Sequence, residues 1–99
     1  MEERKIEMII RVKAFASFRE ILGKEINLEL KDGSNVKCLL DTLSAANQRL
    51  KEAAFDESGG LREYVMLMKN HKRIDSPEGL LAELQDGDEI AIFPPVAGG

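Results

Sequence analysis

The sequence contains few of the residues that build disulfides and zinc sites. It has one cysteine and one histidine, so it offers no internal disulfide and no zinc site with several cysteine or histidine ligands. We therefore expect a reducing compartment, the cytoplasm. No apolar run approaches the roughly 20 residues that span a bilayer. The charged start, residues 1–5, lacks the apolar core of a signal peptide.

An excess of positive charge is also missing. The chain has 14 basic and 18 acidic residues and a net charge of −4, whereas nucleic-acid binding requires a concentrated basic surface. No phosphate-cradling glycine loop of the G-x-G-x-x-G or Walker A type occurs. We expect no bound cofactor, no nucleic-acid or membrane partner and no ATP site. The 99 residues predict one domain over 1–99 that binds or carries without being an enzyme by itself.

Alternating side chains predict strands near both ends of the chain. Apolar and polar residues alternate over 6–15 and over 25–30, the pattern of strands that bury one face. Between these strands, Ser17 is predicted to cap a short helical turn that ends at Gly23. A last strand is predicted over 89–93.

The middle of the chain predicts one long helix. Ser34 or Asn35 is the expected cap, and a stripe of apolar residues follows at helical spacing: Val36, Leu39, Leu40 and Leu43, extended by Leu50. The acidic stretch 52–63 contains two adjacent glycines and predicts an inserted loop that the core does not need.

After this loop, the apolar run 64–68 predicts a strand buried on both faces, with Met66 and Met68 filling the core. A polar turn over 70–73 and a second turn at 86–88 follow. The order strand, strand, helix, strand, strand, with the first and last strands as the central pair, predicts an α+β fold of the ubiquitin-like β-grasp type. Its mixed sheet would have four to five strands, with one main helix packed across it.

The C-terminal tail is the predicted functional part. Two prolines end the last strand, because proline donates no hydrogen bond to a ladder and fixes φ. Small residues follow, so the tail would be flexible yet narrow and would reach at most roughly 20 Å. Glycine leaves the terminal carbonyl unhindered, and the ionised carboxylate requires activation before acyl transfer. The segment is Pro94, Pro95, Val96, Ala97, Gly98 and Gly99.

The segment 86–99, DGDEIAIFPPVAGG, resembles the C-terminal signature of the small subunit of molybdopterin synthase (MoaD). The segment 12–23, VKAFASFREILG, resembles the first strand and short helix of the same family. The resemblance implies a sulfur carrier in molybdenum or tungsten cofactor biosynthesis. Gly99 would be adenylated by a ubiquitin-activating-type enzyme that uses ATP and then converted to a thiocarboxylate. The tail would insert into the large subunit (MoaE), with Phe15 and Phe93 facing partner proteins.

Two alternatives use the same fold. The insertion 52–63 makes the chain longer than compact relatives, and longer chains resemble small archaeal modifier proteins, which attach to lysines through a Gly-Gly end. The activation step is shared, so the sequence leaves open whether sulfide or a lysine amine is the final nucleophile. A ubiquitin-like interaction domain with an inert tail is the other alternative. The shorter thiamine-pathway sulfur carriers lack the Phe-Pro-Pro motif and resemble this chain less.

The remaining reactive residues have structural interpretations. Cys38 lies off the centre of the helix stripe and is predicted to be inert and partly buried. His71 lies in a polar turn without a second ligand, so no metal site is expected. Asp86 and Asp88 are predicted to be turn residues. The basic group Lys69, Lys72 and Arg73 is predicted to be a solvated hairpin end, with a docking point for an acidic partner as the alternative.

Overall fold

The computed structural model describes residues 7–63, 65–74 and 77–94 of the chain. In chain order the elements are β1 (Glu7–Ala14), α1 (Ser17–Leu22), β2 (Glu25–Lys31), α2 (Val36–Ala46), α3 (Gln48–Ala54), β3 (Met66–Lys69), β4 (Lys72–Ile74), a 3-10 turn (Pro77–Leu81) and β5 (Glu89–Phe93). Among these helices, none is long and apolar enough to cross a membrane.

The strands form one mixed sheet in the order β2-β1-β5-β3-β4. β1 and β5 pair in parallel, and every other neighbouring pair is antiparallel. The predicted central pair, formed by the first and last strands, is therefore confirmed. The predicted β-grasp fold with a mixed sheet is confirmed too, with five strands and the helices packed across one face.

The core lies between this sheet and the helices. Every second residue of β1 is buried, and the stripe of α2 is buried as predicted. Full burial of a valine, leucine, isoleucine or methionine side chain contributes roughly 1.5–3 kcal/mol to stability. The two periodic patterns therefore determine which face of the sheet the helices cover. The buried members from β1 and α2 are Met8, Ile10, Val12, Ala14, Val36, Leu39, Leu40 and Leu43.

Two asparagines cap the two helices in the middle of the chain. Oδ1 of Asn35 accepts from the Cys38 N–H at 2.9 Å and caps α2, as predicted. Oδ1 of Asn47 accepts from the Leu50 N–H at 3.2 Å and caps a separate helix, α3. Leu50 is buried as predicted, but it belongs to α3 and does not extend α2.

The prediction of a dispensable loop over 52–63 is wrong for its first part. α3 continues to Ala54, which is fully buried one turn after Leu50, so this part of the segment belongs to the core. Phe55 and Leu61 then form a bridge and pack against the same core. The rest of the segment, residues 56–60 and 62–63, is exposed and lies outside helices and strands, as predicted. In its first part a single carboxylate, that of Asp56, organises the turn.

We predict that the Asp56 carboxylate titrates below the usual aspartate range. Its Oδ1 accepts from the Ser58 hydroxyl at 2.7 Å and from the Gly60 N–H at 3.0 Å, and these bonds, the hydroxyl first, lower the Asp56 pKa. Because the folded pKa is the lower one, the loop is stabilised above the pKa of the unfolded chain and loses this contribution as pH falls through the folded pKa. The Gly60 amide signal in an NMR pH titration should report this midpoint.

The control for this titration is Asp56→Asn, which should remove the acid transition of the Gly60 amide. A midpoint at or above about 3.9, the usual aspartate value, would contradict the role given to these hydrogen bonds.

Two local predictions need correction. Ser17 does not cap α1, because the preceding Ala16 occupies the cap position with φ of 53° and no side-chain cap bond forms. Gly23 does end α1 with positive φ, as predicted. The predicted turn over 70–73 is shorter in the structure. Only Asn70 and His71 turn, both with positive φ, and β4 begins at Lys72.

Gly79 in the 3-10 turn is predicted to resist substitution. A Cβ at this position would overlap Cγ2 of Ile74, a β4 residue that packs against the core. Gly79→Ala should therefore cost about 1–3 kcal/mol in the free energy of unfolding, the range for overpacking. Gly60→Ala is the matched control, because its Cβ would meet only ordinary contacts. Equal denaturation midpoints for the two variants would contradict this packing.

Candidate functional site: the base of the tail

The tail leaves the protein from the middle of the sheet. β5 lies between β1 and β3, and its last residue, Phe93, pairs with Met66. Pro94 follows outside the strand and is half-buried. A central strand is held on both sides, so the start of the tail has a fixed position and direction. The predicted site residues Pro95, Val96, Ala97, Gly98 and Gly99 lie outside the described residues, and their roles stay predictions.

Phe15 and Phe93, both predicted to face partners, contact each other. The Phe15 N–H donates to the Ile92 carbonyl at 3.3 Å, which extends the parallel pairing beyond β1. The two rings stack with centroids 4.4 Å apart and an interplanar angle of 7°. Both side chains are half-buried. The structure thus places a partly accessible aromatic pair at the end of β5, immediately before Pro94.

Two methionines continue this surface along β3. Met66 pairs with Phe93, and Met68 pairs with Ala91, so these side chains share the face of the sheet that carries no helix. Both methionines are half-buried. The prediction that Met66 and Met68 fill the core of a strand buried on both faces is therefore wrong, because the helices cover only the opposite face. We call Phe15, Phe93, Met66 and Met68 the tail-base patch.

Charged residues border the tail-base patch. Nζ of Lys13 lies 3.5 Å from Oε1 of Glu89, on β1 and β5 of the same open face. Arg73 stands opposite Met68 on β4. An apolar centre inside a charged border is the usual anatomy of a protein-binding surface.

The other candidate residues lie away from the tail base. Cys38 is exposed, which corrects the prediction that it is partly buried. His71 lies in the β3–β4 turn, and no group of three or more potential metal ligands occurs within 7–63, 65–74 and 77–94. Lys69 and Lys72 pair across that turn, at the end of β3 that is farther from Phe93. These two lysines are therefore remote from the tail base, whereas Arg73 borders the tail-base patch.

Asp86 and Asp88 are turn residues, as predicted. Oδ1 of Asp86 accepts from the Ile9 N–H at 2.8 Å and connects the turn to β1. The Asp88 carboxylate accepts from the Gln85 N–H and from the Asn70 amide, at 2.8 and 2.9 Å. These bonds fix where β5 begins, so both carboxylates have structural partners and do not form a general acid–base pair.

Comparisons with known proteins agree with this geometry. The model of the ThiS family matches residues 12–99, which include the whole tail. Small archaeal modifier protein 3 of Haloferax volcanii is 34% identical over 93 residues, which cover 93% of this chain and 100% of that protein. The molybdopterin synthase sulfur carrier subunit of Chlamydomonas reinhardtii is 35% identical over 94 residues, covering 93% and 100%.

A solved structure supports the fold. The crystal structure of small archaeal modifier protein 1 of Haloferax volcanii superposes with a TM-score of 0.80 at 28% identity and covers 92% of this chain and 99% of that chain. Fold, sequence match and relatives lead to one assignment. This chain belongs to the ThiS family of ubiquitin-like sulfur carriers.

Proposed function

We propose that this chain is the sulfur-donor subunit of a molybdopterin synthase and carries sulfur as a thiocarboxylate on Gly99. The resemblance of 86–99 to that subunit, together with a relative named for the same role, supports the proposal. The observation that carries it furthest is the stacked Phe15–Phe93 pair below Pro94, because it gives the tail a rigid base and a surface for a partner beside it.

The proposed chemistry begins at the terminal carboxylate. As an anion it is a poor electrophile at neutral pH. One carboxylate oxygen therefore attacks the α-phosphorus of ATP bound by the activating enzyme, and pyrophosphate leaves. A persulfide then attacks the acyl carbon, and AMP leaves. A thiol finally cleaves the resulting sulfur–sulfur bond, so that the thiocarboxylate remains on Gly99 and a disulfide forms on the donor.

The tail-base patch is the proposed docking surface for the activating enzyme and the large subunit (MoaE). Apolar and aromatic side chains supply most of the binding energy at such surfaces. Methionine side chains are flexible and polarizable, so they adapt to partners of different shape. Partners docked here would stand directly beside Pro94, and a tail that reaches at most roughly 20 Å would then enter their active sites.

Covalent modification of lysines is the second candidate function. It is favoured by the relative named small archaeal modifier protein 3, which this chain matches over that protein's whole length. A lysine amine would attack the same activated acyl carbon, AMP would leave with loss of a proton from the amine, and an isopeptide bond would form. The two functions share adenylation and differ only in the nucleophile that takes the acyl group.

A deletion strain of the source organism separates these functions. Loss of molybdopterin, restored by the wild-type gene, is expected for the sulfur carrier, and normal molybdopterin in the deletion strain would refute that role.

The modifier function predicts branched peptides on lysines. Arg73 is the last basic residue and Glu89 the last acidic one, so a glutamate-specific protease is the better choice: it should leave residues 90–99 attached to a modified lysine, whereas trypsin should leave 74–99.

A further inference from the structure

β2 forms an edge of the sheet, and within the described residues no strand pairs with its outer side. It is the outermost strand beside β1. The Ala14 N–H donates to the Lys24 carbonyl at 3.2 Å, and hydrogen-bonded pairs alternate along an antiparallel ladder. The even-numbered residues of β2 therefore bond to β1, while the odd-numbered residues direct their N–H and C=O groups outward. Such an edge is a template for another strand.

The side chains of this edge are also open to a partner. The odd-numbered residues Glu25, Asn27, Glu29 and Lys31 are exposed, and the apolar Ile26 and Leu28 are only half-buried. Neither Glu25 nor Lys31 takes part in an ion pair with another residue in the described part of the chain. On β1, Lys13 stands opposite Glu25 and Glu7 opposite Lys31, but neither pair comes within ion-pair distance. The edge therefore presents charges of both signs on its open face and apolar side chains on the other face.

The spacing of these charges matches a second copy of the same strand. In an antiparallel pair centred on Leu28, Glu25 of one copy stands opposite Lys31 of the other, and this contact occurs twice by symmetry. Asn27 then stands opposite Glu29, and just beyond the strand Lys24 stands opposite Asp32. The outward-facing residues of the two copies also face each other, as the hydrogen-bond pattern requires.

Neighbouring registers are unfavourable. The hydrogen-bond pattern requires outward-facing residues of one copy to stand opposite outward-facing residues of the other. The register between the two strands can therefore change only in steps of two residues. One such shift places Glu25 opposite Glu29, and the other places Glu29 opposite Glu29. Like charges directly opposite each other destabilise a strand pair. From this complementarity we propose that β2 is the interface of a symmetric dimer, in which two copies pair edge to edge with Leu28 at the centre.

This dimer leaves the tail base free. β1 separates β2 from β5 in each sheet, so neither tail-base patch is covered. The two open faces lie on the same side of the joined sheet, because opposite residues of an antiparallel pair point to the same face. The two β5 strands run in opposite directions. The dimer would thus present two carriers on one particle, and the inference does not depend on what the tail carries.

The expected dimer is weak, since pairing over one strand buries less surface than a standard interface. We expect a dissociation constant of roughly 100 µM, so sedimentation equilibrium on the full chain should cover about 10 µM to 1 mM at low salt. Glu25→Lys and Lys31→Glu each place like charges opposite each other twice. Either change should weaken self-association about tenfold or more.

Mixing the two variants provides the decisive test. Glu25→Lys and Lys31→Glu have complementary edges, so an equimolar mixture should form heterodimers that neither variant forms with itself. The double variant Glu25→Lys/Lys31→Glu should self-associate like the wild type. Lys37→Glu is the control, because it makes the same charge change on the exposed side of α2 and should leave association unchanged.

Three results would overturn the proposal. One is a wild-type chain that stays monomeric at ~1 mM. Another is a dimer that neither single variant weakens, which would locate the interface elsewhere. The third is a mixture that fails to associate although both variants keep the thermal midpoint of the wild type, because the register would then be wrong.

Discussion

Removal of Gly99 is expected to abolish loading of the chain by its activating enzyme while leaving the fold intact. The shortened tail would still end in glycine, but its carboxylate would lie about 3.5 Å short of the reacting phosphorus. A misplacement of even 1 Å can cost about 100-fold in rate, so we expect at least that loss. ATP–pyrophosphate exchange with the activating enzyme of the source organism measures this step, and the thermal midpoint should stay within a degree or so of the wild type.

The matched control for this deletion uses the two ends of the chain. A tag added after Gly99 should block loading as the deletion does, whereas the same tag before residue 1 should not. In vivo, the carrier hypothesis fails if a strain that makes only the shortened chain still produces molybdopterin.

Phe93→Glu should produce the second largest effect, a loss of binding to the activating enzyme and to the large subunit. The change removes the ring that stacks on Phe15 and places a charge at the centre of the tail-base patch. Residues at such positions contribute 2 kcal/mol or more to binding, so an affinity loss of about 30-fold or more is expected. Calorimetric titration with each partner measures it. Phe93→Leu also removes the ring but adds no charge, so it should cost less affinity than Phe93→Glu.

Ile9→Glu provides the matched control for Phe93→Glu. Ile9 is 48% exposed and lies on the same open face, roughly 20 Å along β1 from Phe15. The added charge is the same, yet it falls outside the tail-base patch, so binding should not change. Equal losses for the two variants would show that net charge, and not the patch, determines docking.

The elements with regular periods were predictable from the sequence. Alternation along β1 and the helical stripe of α2 depend on which side chains are apolar, and burial follows that pattern directly. The turn at Asp86-Gly87-Asp88 was predictable because Gly87, with φ of 90°, fits a conformation that other residues avoid. The central position of the first and last strands followed from the order of elements.

The boundary between α2 and α3 was missed because two signals conflicted. Leu50 continues the apolar spacing of α2, and this periodicity hides a break at Asn47, whose side chain caps the next helix. The presence of Asn47 is compatible with one continuous helix and also with two separate helices. Ala54, small and apolar, carried too little information to show that the segment after Leu50 packs on the core.

The tail-base patch was predictable only in part. A continuous apolar run is compatible with burial on one face or on both, so the sequence alone does not show that Met66 and Met68 lie on the open face. The contact between Phe15 and Phe93 depends on the parallel pairing of β1 with β5, which joins residues far apart in sequence. The residues themselves were recognisable, but their stacking below Pro94 required the register of that pair.

In the proposed function, another protein converts the Gly99 carboxylate to a thiocarboxylate, which then donates its sulfur. The most direct test is the intact mass of the chain purified from the source organism. A sulfur carrier should contain a species in which one oxygen of the terminus is replaced by sulfur, and this species should disappear when the activating enzyme is deleted. If the unmodified mass is the only one found in a strain that is actively making molybdopterin, the chain is not the sulfur donor.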